Sequence, residues 1–234
     1  MPNITDKTQT HFFKVRVATA VAIIFHLIGL TGLLFFKREW FVNTSAVNLL
    51  LMFFLILYTQ QQKNTGFYLL MVISFVVGMG VEWTGTSTGL LFGNYSYGTV
   101  LGPSFRNVPW IIGLNWFMVI YCCGVCMHMM LGKLLTADEE ENKNKRNLLR
   151  IISIIIDGAT IAVALDWLME PVAVQLGYWK WAGEIPVFNY ACWFLVSVLL
   201  LGVFHICRFN KENKFAVHLL LIQAMFFLLL RTFL

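Results

Sequence analysis

Residues 14–36 read KVRVATAVAIIFHLIGLTGLLFF, a stretch whose only charges, Lys14 and Arg16, fall at its start. A helix needs about 20 apolar residues to cross the hydrocarbon core of a bilayer, so this run is long enough to span one. It is too long for the apolar core of a signal peptide and follows a polar start, which marks it as a retained helix. Runs of the same kind recur along the chain at about 46–60, 67–83, 108–135, 148–170, 186–207 and 215–233. The 234 residues are 59% hydrophobic and 12% charged, with a mean hydropathy of +0.73, and no soluble domain fits between the runs. The expected fold is all-α: a single integral membrane domain over residues 1–234, with about seven transmembrane helices.

Lys and Arg lie in short segments between the runs and not along one basic face, which points to lipid headgroups as their partners and away from nucleic acid. Seven crossings put the termini on opposite sides. With the N-terminus cytoplasmic, twelve of the 17 Lys and Arg fall on inner segments, and Lys37, Arg38, Arg106, Lys180 and Arg231 on outer ones. The acidic run Asp138–Glu141 counts little against this bias, so the expectation is a protein of the bacterial inner membrane with its N-terminus inside.

That orientation brings two unusual segments to the same, outer side. Residues 82–110, EWTGTSTGLLFGNYSYGTVLGPSFRNVPW, are rich in Gly, Thr, Ser and Tyr and hardly charged. A loop of that length is functional or disordered. Leu90, Leu91, Phe92 and Tyr95 argue against disorder, and the segment is expected to be re-entrant or to form a lid between the third and fourth helices. Residues 166–186, DWLMEPVAVQLGYWKWAGEIP, put Asp166 and Glu170 one helical turn apart on one face, with Pro171 expected to end or kink the helix.

Acids at membrane depth are costly, about 2.5–3.5 kcal/mol even on insertion scales, so Glu82, Asp166 and Glu170 are candidates for chemistry. Asp157 lies roughly 13 Å along the helix from Asp166 and on about the opposite face. It is expected to make a deeper polar contact with another helix. The five histidines are scattered without metal-ligand spacing, no Gly-rich nucleotide loop or nucleophile elbow occurs, and the seventh run has no internal Lys for a retinal Schiff base. No metal or cofactor is therefore expected. Trp40, Trp83, Trp110, Trp167, Trp179 and Trp181 fall near the outer boundary, while Trp116 and Trp193 lie elsewhere. The first group reads as an interfacial belt, and aromatic faces beside acids also stabilise a developing cation.

At the two segments the chain resembles the carotenoid biosynthesis membrane protein family that includes the CruF-type carotenoid 1,2-hydratases. The resemblance is carried by Glu82-Trp-Thr-Gly85, Thr88-Gly89, Phe92-Gly-Asn-Tyr95-Ser-Tyr97-Gly98, Leu101-Gly-Pro103 and Val108-Pro109. In the second segment it is carried by Asp166, Glu170-Pro171-Val-Ala173, Gly177-Tyr-Trp179-Lys-Trp181 and Ile185-Pro186. Glu170 departs from the pattern, which is expected to hold Asp before the proline. The resemblance implies cofactor-independent addition of water to the terminal 1,2 double bond of an acyclic carotenoid such as lycopene or gamma-carotene. Asp166 or Glu82 would be the general acid and the other the base, and Glu170 completes the catalytic candidates. Asn94, Tyr95 and Tyr97 would position the substrate under the lid, beside the aromatic faces of Trp83, Trp167 and Trp179. The implied partners are a carotenoid, water, membrane lipids and other carotenoid-pathway enzymes. Two rival readings are a membrane carotenoid cyclase, which also begins by protonating a terminal double bond, and a carotenoid-binding or transport protein without catalysis.

Overall fold

The computed structural model describes residues 4–134 and 143–234, so the acidic run Asp138–Glu141 lies outside the described residues. The described chain forms seven helices: α1 (Ile4–Phe35), α2 (Arg38–Thr59), α3 (Thr65–Thr88), α4 (Trp110–Leu134), α5 (Lys143–Gln175), α6 (Val187–Ile206) and α7 (Lys214–Phe233). All seven contain a stretch long and apolar enough to cross a membrane. The protein is an all-α integral membrane protein.

The helices are arranged around α4. Of its apolar stretch 83% is buried within the protein, against 22–39% for the other six, which keep most of their surface for lipid. Helix α4 packs against α2, α3, α5, α6 and α7, whereas α1 packs on α2 and α7. Small residues allow the close approach. A Cβ on Gly113 would run into Phe75, and one on Gly124 into the ring of Phe204; on α3, one on Gly78 would strike Trp116. The five cysteines are free and buried, acting as small packing residues.

At one end of the bundle a buried polar knot ties the helix termini together. Asn213 donates to Thr59 Oγ1 (3.1 Å) and to the Tyr121 hydroxyl (3.0 Å), which itself donates to Gln60. At the opposite end, α3 runs to Thr88 and stops at Gly89, whose φ of +68° gives the left-handed turn that ends helices. The segment that follows covers this end as a lid. Its strand β1 (Tyr95–Tyr97) pairs antiparallel with β4 (Trp179–Trp181) from the α5–α6 connection, in the register Tyr95–Trp181, Ser96–Lys180 and Tyr97–Trp179. Between them in sequence, β2 (Ser104–Phe105) and β3 (Val108–Pro109) form a short hairpin leading into α4. Gly98 closes the ribbon: its N–H donates to the Tyr178 carbonyl, and a side chain there would collide with the Gly177 carbonyl.

Pro171 neither ends α5 nor leaves it incomplete, because the helix continues to Gln175. A proline inside a helix leaves the carbonyl four residues earlier without its N–H partner. Here that carbonyl belongs to Trp167, and Arg231 of α7 donates to it at 2.7 Å while its guanidinium lies 3.7 Å from the centre of the Trp167 ring.

Candidate active site

A strand alternates its side chains, so the two-stranded ribbon turns Ser96 and Lys180 to the exposed side and Tyr95, Tyr97, Trp179 and Trp181 toward the bundle. These four aromatics meet the acids of α3 and α5. Glu82 Oε2 accepts from the hydroxyls of Tyr95 (2.5 Å) and Tyr97 (2.7 Å), and Oε1 accepts from the Trp116 indole N–H (2.9 Å). Glu170 Oε2 accepts from the indole N–H groups of Trp179 and Trp181, both at 2.9 Å. Asn189, in the first turn of α6, bridges the remaining pair: its Nδ2 donates to Asp166 Oδ2 (2.9 Å) and to Glu170 Oε1 (3.4 Å).

Glu82, Asp166 and Glu170 are 4%, 1% and 3% exposed, and all three line one small cavity of about 30 Å³. No Lys or Arg lines it; its other walls include Phe92, Asn115, Trp116 and Trp193. Trp116 and Trp193 stack with ring centres 4.0 Å apart and planes inclined by 15°. The hydrogen bonding is uneven. Glu82 and Glu170 have donors on both oxygens, as a carboxylate requires, whereas Asp166 Oδ1 is buried with no partner among the described residues. Burial, and after it the adjacent Glu82, holds the Tyr95 and Tyr97 phenols well above their ordinary range, so both remain protonated donors.

A second cavity, of about 340 Å³, shares Ile112, Asn115, Met169 and Trp179 with the first, so the two adjoin across one wall. It runs between α1, α2, α4, α5 and α7 and is predominantly apolar. Phe25 and Ile28 of α1 and Trp40 and Val47 of α2 line it and are also exposed on the flank of the bundle, so it reaches the lipid-facing surface there. Leu33 of its wall belongs to a packed apolar cluster with Val42, Val172, Leu176 and Leu230.

Among the residues singled out from the sequence, Glu82, Asp166, Glu170, Tyr95, Tyr97 and Trp179 come together at the small cavity. Asn94, Trp83 and Trp167 do not. Asn94 is exposed and contributes its backbone carbonyl to Ala182 in the ribbon, because strand alternation sends its side chain away from the acids. Trp83 and Trp167 each follow an acid by one residue, and a helix turns that next position to the flank. Both are exposed there and covered by arginines, Trp83 by Arg106 at 4.2 Å and Trp167 by Arg231. Asp157 makes no deep contact either: it is exposed, since the neighbouring Gly158 is the residue that faces Leu201 of α6. Sequence reasoning missed Trp116, Trp193 and Asn189. The available signal was position, as two tryptophans outside the boundary belt need another explanation.

Residues 42–234 match the family model described as carotenoid biosynthesis protein. The chain is also similar to the bisanhydrobacterioruberin hydratase of Haloarcula japonica, with 26% identity over 215 residues, covering 84% of this chain and 68% of that protein. No solved structure matches it. The match covers the three acids, the ribbon, five of the seven helices in full and most of α2, and the chain belongs to the carotenoid biosynthesis protein family.

Proposed function

We propose that the protein adds water across the terminal 1,2 double bond of an acyclic carotenoid, leaving a tertiary alcohol. The observation that carries this reading is the unpartnered Oδ1 of buried Asp166, in an aromatic-walled cavity adjoining an apolar one that opens to lipid. The polyene enters from the bilayer between α1 and α2 and lies in the larger cavity, with its end at the shared wall of Ile112, Asn115 and Met169. Asp166 acts as the general acid. Its O–H bond breaks as a C–H bond forms at the less substituted alkene carbon, and the π pair leaves a cation on the neighbouring tertiary carbon. The faces of Trp116, Trp193, Tyr95 and Tyr97 stabilise that cation.

A water then forms the C–O bond and gives a proton to Glu82, the base. Return of that proton to Asp166 resets the site, so the net reaction consumes only the polyene and one water. The small cavity is large enough for a water, which needs about 10–15 Å³, and that room beside the cation favours hydration over ring closure. The notion of a pure binding protein accounts less well for an acid left without a protein partner in such a place.

Expression in a bacterium that makes lycopene tests the reading. The expected pigment is more polar and heavier by one water with an unchanged visible spectrum, and Asp166→Asn should abolish the product while the protein still inserts. An unchanged mass with an altered spectrum would identify a cyclase. A fully active Asp166→Asn variant would remove Asp166 from proton transfer.

A further inference from the structure

The larger cavity is apolar along most of its wall, yet three polar side chains line it from three different helices: buried His26 of α1 and Gln223 of α7, and half-buried Asn48 of α2, whose Oδ1 is itself buried. Each lies nine or ten residues from the lid-end terminus of its helix, roughly 14–15 Å below it at 1.5 Å per residue, so they share one depth near the middle of the bundle. Polar groups at that depth without partners are costly, and three other amides buried in this protein are paired: Gln60, Asn189 and Asn213 all bond to other residues. Asn48 and Gln223 are not. Among the described residues the buried Asn48 Oδ1 has no hydrogen-bond partner, and the side chain of Gln223, 7% exposed, makes no hydrogen bond.

His26, 6% exposed, is partly fixed. Its Nδ1 lies 2.8 Å from the Ala22 carbonyl, and its ring is held edge-on against Phe226. A carbonyl can only accept, so the proton sits on Nδ1 and Nε2 is left as an acceptor. The set thus offers one acceptor, His26 Nε2, beside the donor–acceptor amides of Asn48 and Gln223. A hydroxyl matches it, donating to His26 Nε2 and accepting from an amide. A ketone would leave the His26 acceptor bare, and a plain hydrocarbon would give none of the three groups a partner.

We propose that His26, Asn48 and Gln223 form a subsite for a hydroxyl group already present on the polyene, part way along the chain from the reacting double bond. This rests on the larger cavity being the polyene channel of the proposed hydration. The reaction that supplies the substrate is then one that installs a hydroxyl before the terminal bond is hydrated.

The test uses purified full-length protein and a length series of polyenes with the same unsubstituted reacting terminus. Each carries a hydroxyl at the other end and is paired with its hydrocarbon counterpart. At one or more lengths the hydroxylated member should be favoured by about tenfold or more in kcat/KM, because a site built to bond a hydroxyl discriminates strongly against its absence. Gln223→Leu and Asn48→Leu should bring the ratio to within about threefold by loss on the hydroxylated member. Equal rates at every length, meaning that the amides hold only water, would overturn the proposal, and so would variants that lose both members in parallel. Should neither member gain water, the hydration reading fails by itself. Equilibrium binding of the same pairs then decides the subsite: tighter binding of a hydroxylated member, lost in Gln223→Leu, supports it, and equal binding rejects it.

Discussion

Asn189 shows how one neutral side chain organises two acids. Its single amide nitrogen bonds Asp166 and Glu170 together, so it fixes where the free Oδ1 of Asp166 points. Replacing it with Ala should misplace the acid without removing it. Because small displacements of a catalytic group can cost about 100-fold, kcat for Asn189→Ala should fall by roughly that factor with little change in KM. Steady-state kinetics on reconstituted protein would show the split, and a pure KM effect would assign Asn189 to substrate binding. The three acids were legible in the sequence because charges inside apolar runs stand out against their surroundings. Tyr95 and Tyr97 were legible through the resemblance carried by residues 92–98, although the strand that holds them was not expected. Asn189 was not, for an amide three residues after Pro186 reads as ordinary chemistry at a helix start. Trp116 and Trp193 were hidden for a related reason: an aromatic within an apolar helix is a common packing residue, and only the fold reveals that the two stack beside Glu82.

At the scale of elements, Pro171 was expected to end or kink α5; it does not end it, and the pairing that carries the helix past it comes from sequence 60 residues away, in α7. Arg231 supplies the donor that Pro171 lacks. Arg231→Met should therefore expose an unpaired Trp167 carbonyl and lower stability by about 1 kcal/mol, seen as faster thermal inactivation in detergent. In a Pro171→Ala background the backbone N–H is restored, so the same Arg231→Met change should cost much less. A double-mutant cycle measures this coupling, and additive effects would mean that Arg231 acts only through its stacking on Trp167. The lid shows a similar limit. Its existence followed from the composition of residues 82–110, but its pairing with β4 could not be read from either segment alone. Register in a two-stranded ribbon emerges only when both strands are placed, and here it is what turns Trp179 and Trp181 onto Glu170.

For the whole molecule, the seven apolar runs announced the helices but not their arrangement, since lipid-facing and buried helices are equally apolar. The placement of α4 at the centre is visible in retrospect in its lack of charge from Trp110 to Gly132 and in Gly113 and Gly124, which admit neighbouring rings. The arrangement has a functional consequence. With α4 in the middle and α1 docked on α2 and α7, the seam between α1 and α2 is the flank where the larger cavity meets lipid. In the proposed reaction, a polyene that is insoluble in water would enter through that seam. Val47, 65% exposed, lines the seam on α2, and Val47→Trp adds bulk there without touching the acids. For substrate delivered in vesicles, kcat/KM should fall about tenfold or more while the fold and the ribbon stay intact, because the change obstructs access and leaves the chemistry alone. A bulky replacement at lipid-facing Leu195 of α6, outside the cavity, is the control expected to leave the rate unchanged. Equal rates for Val47→Trp and the unaltered protein would place the entry elsewhere.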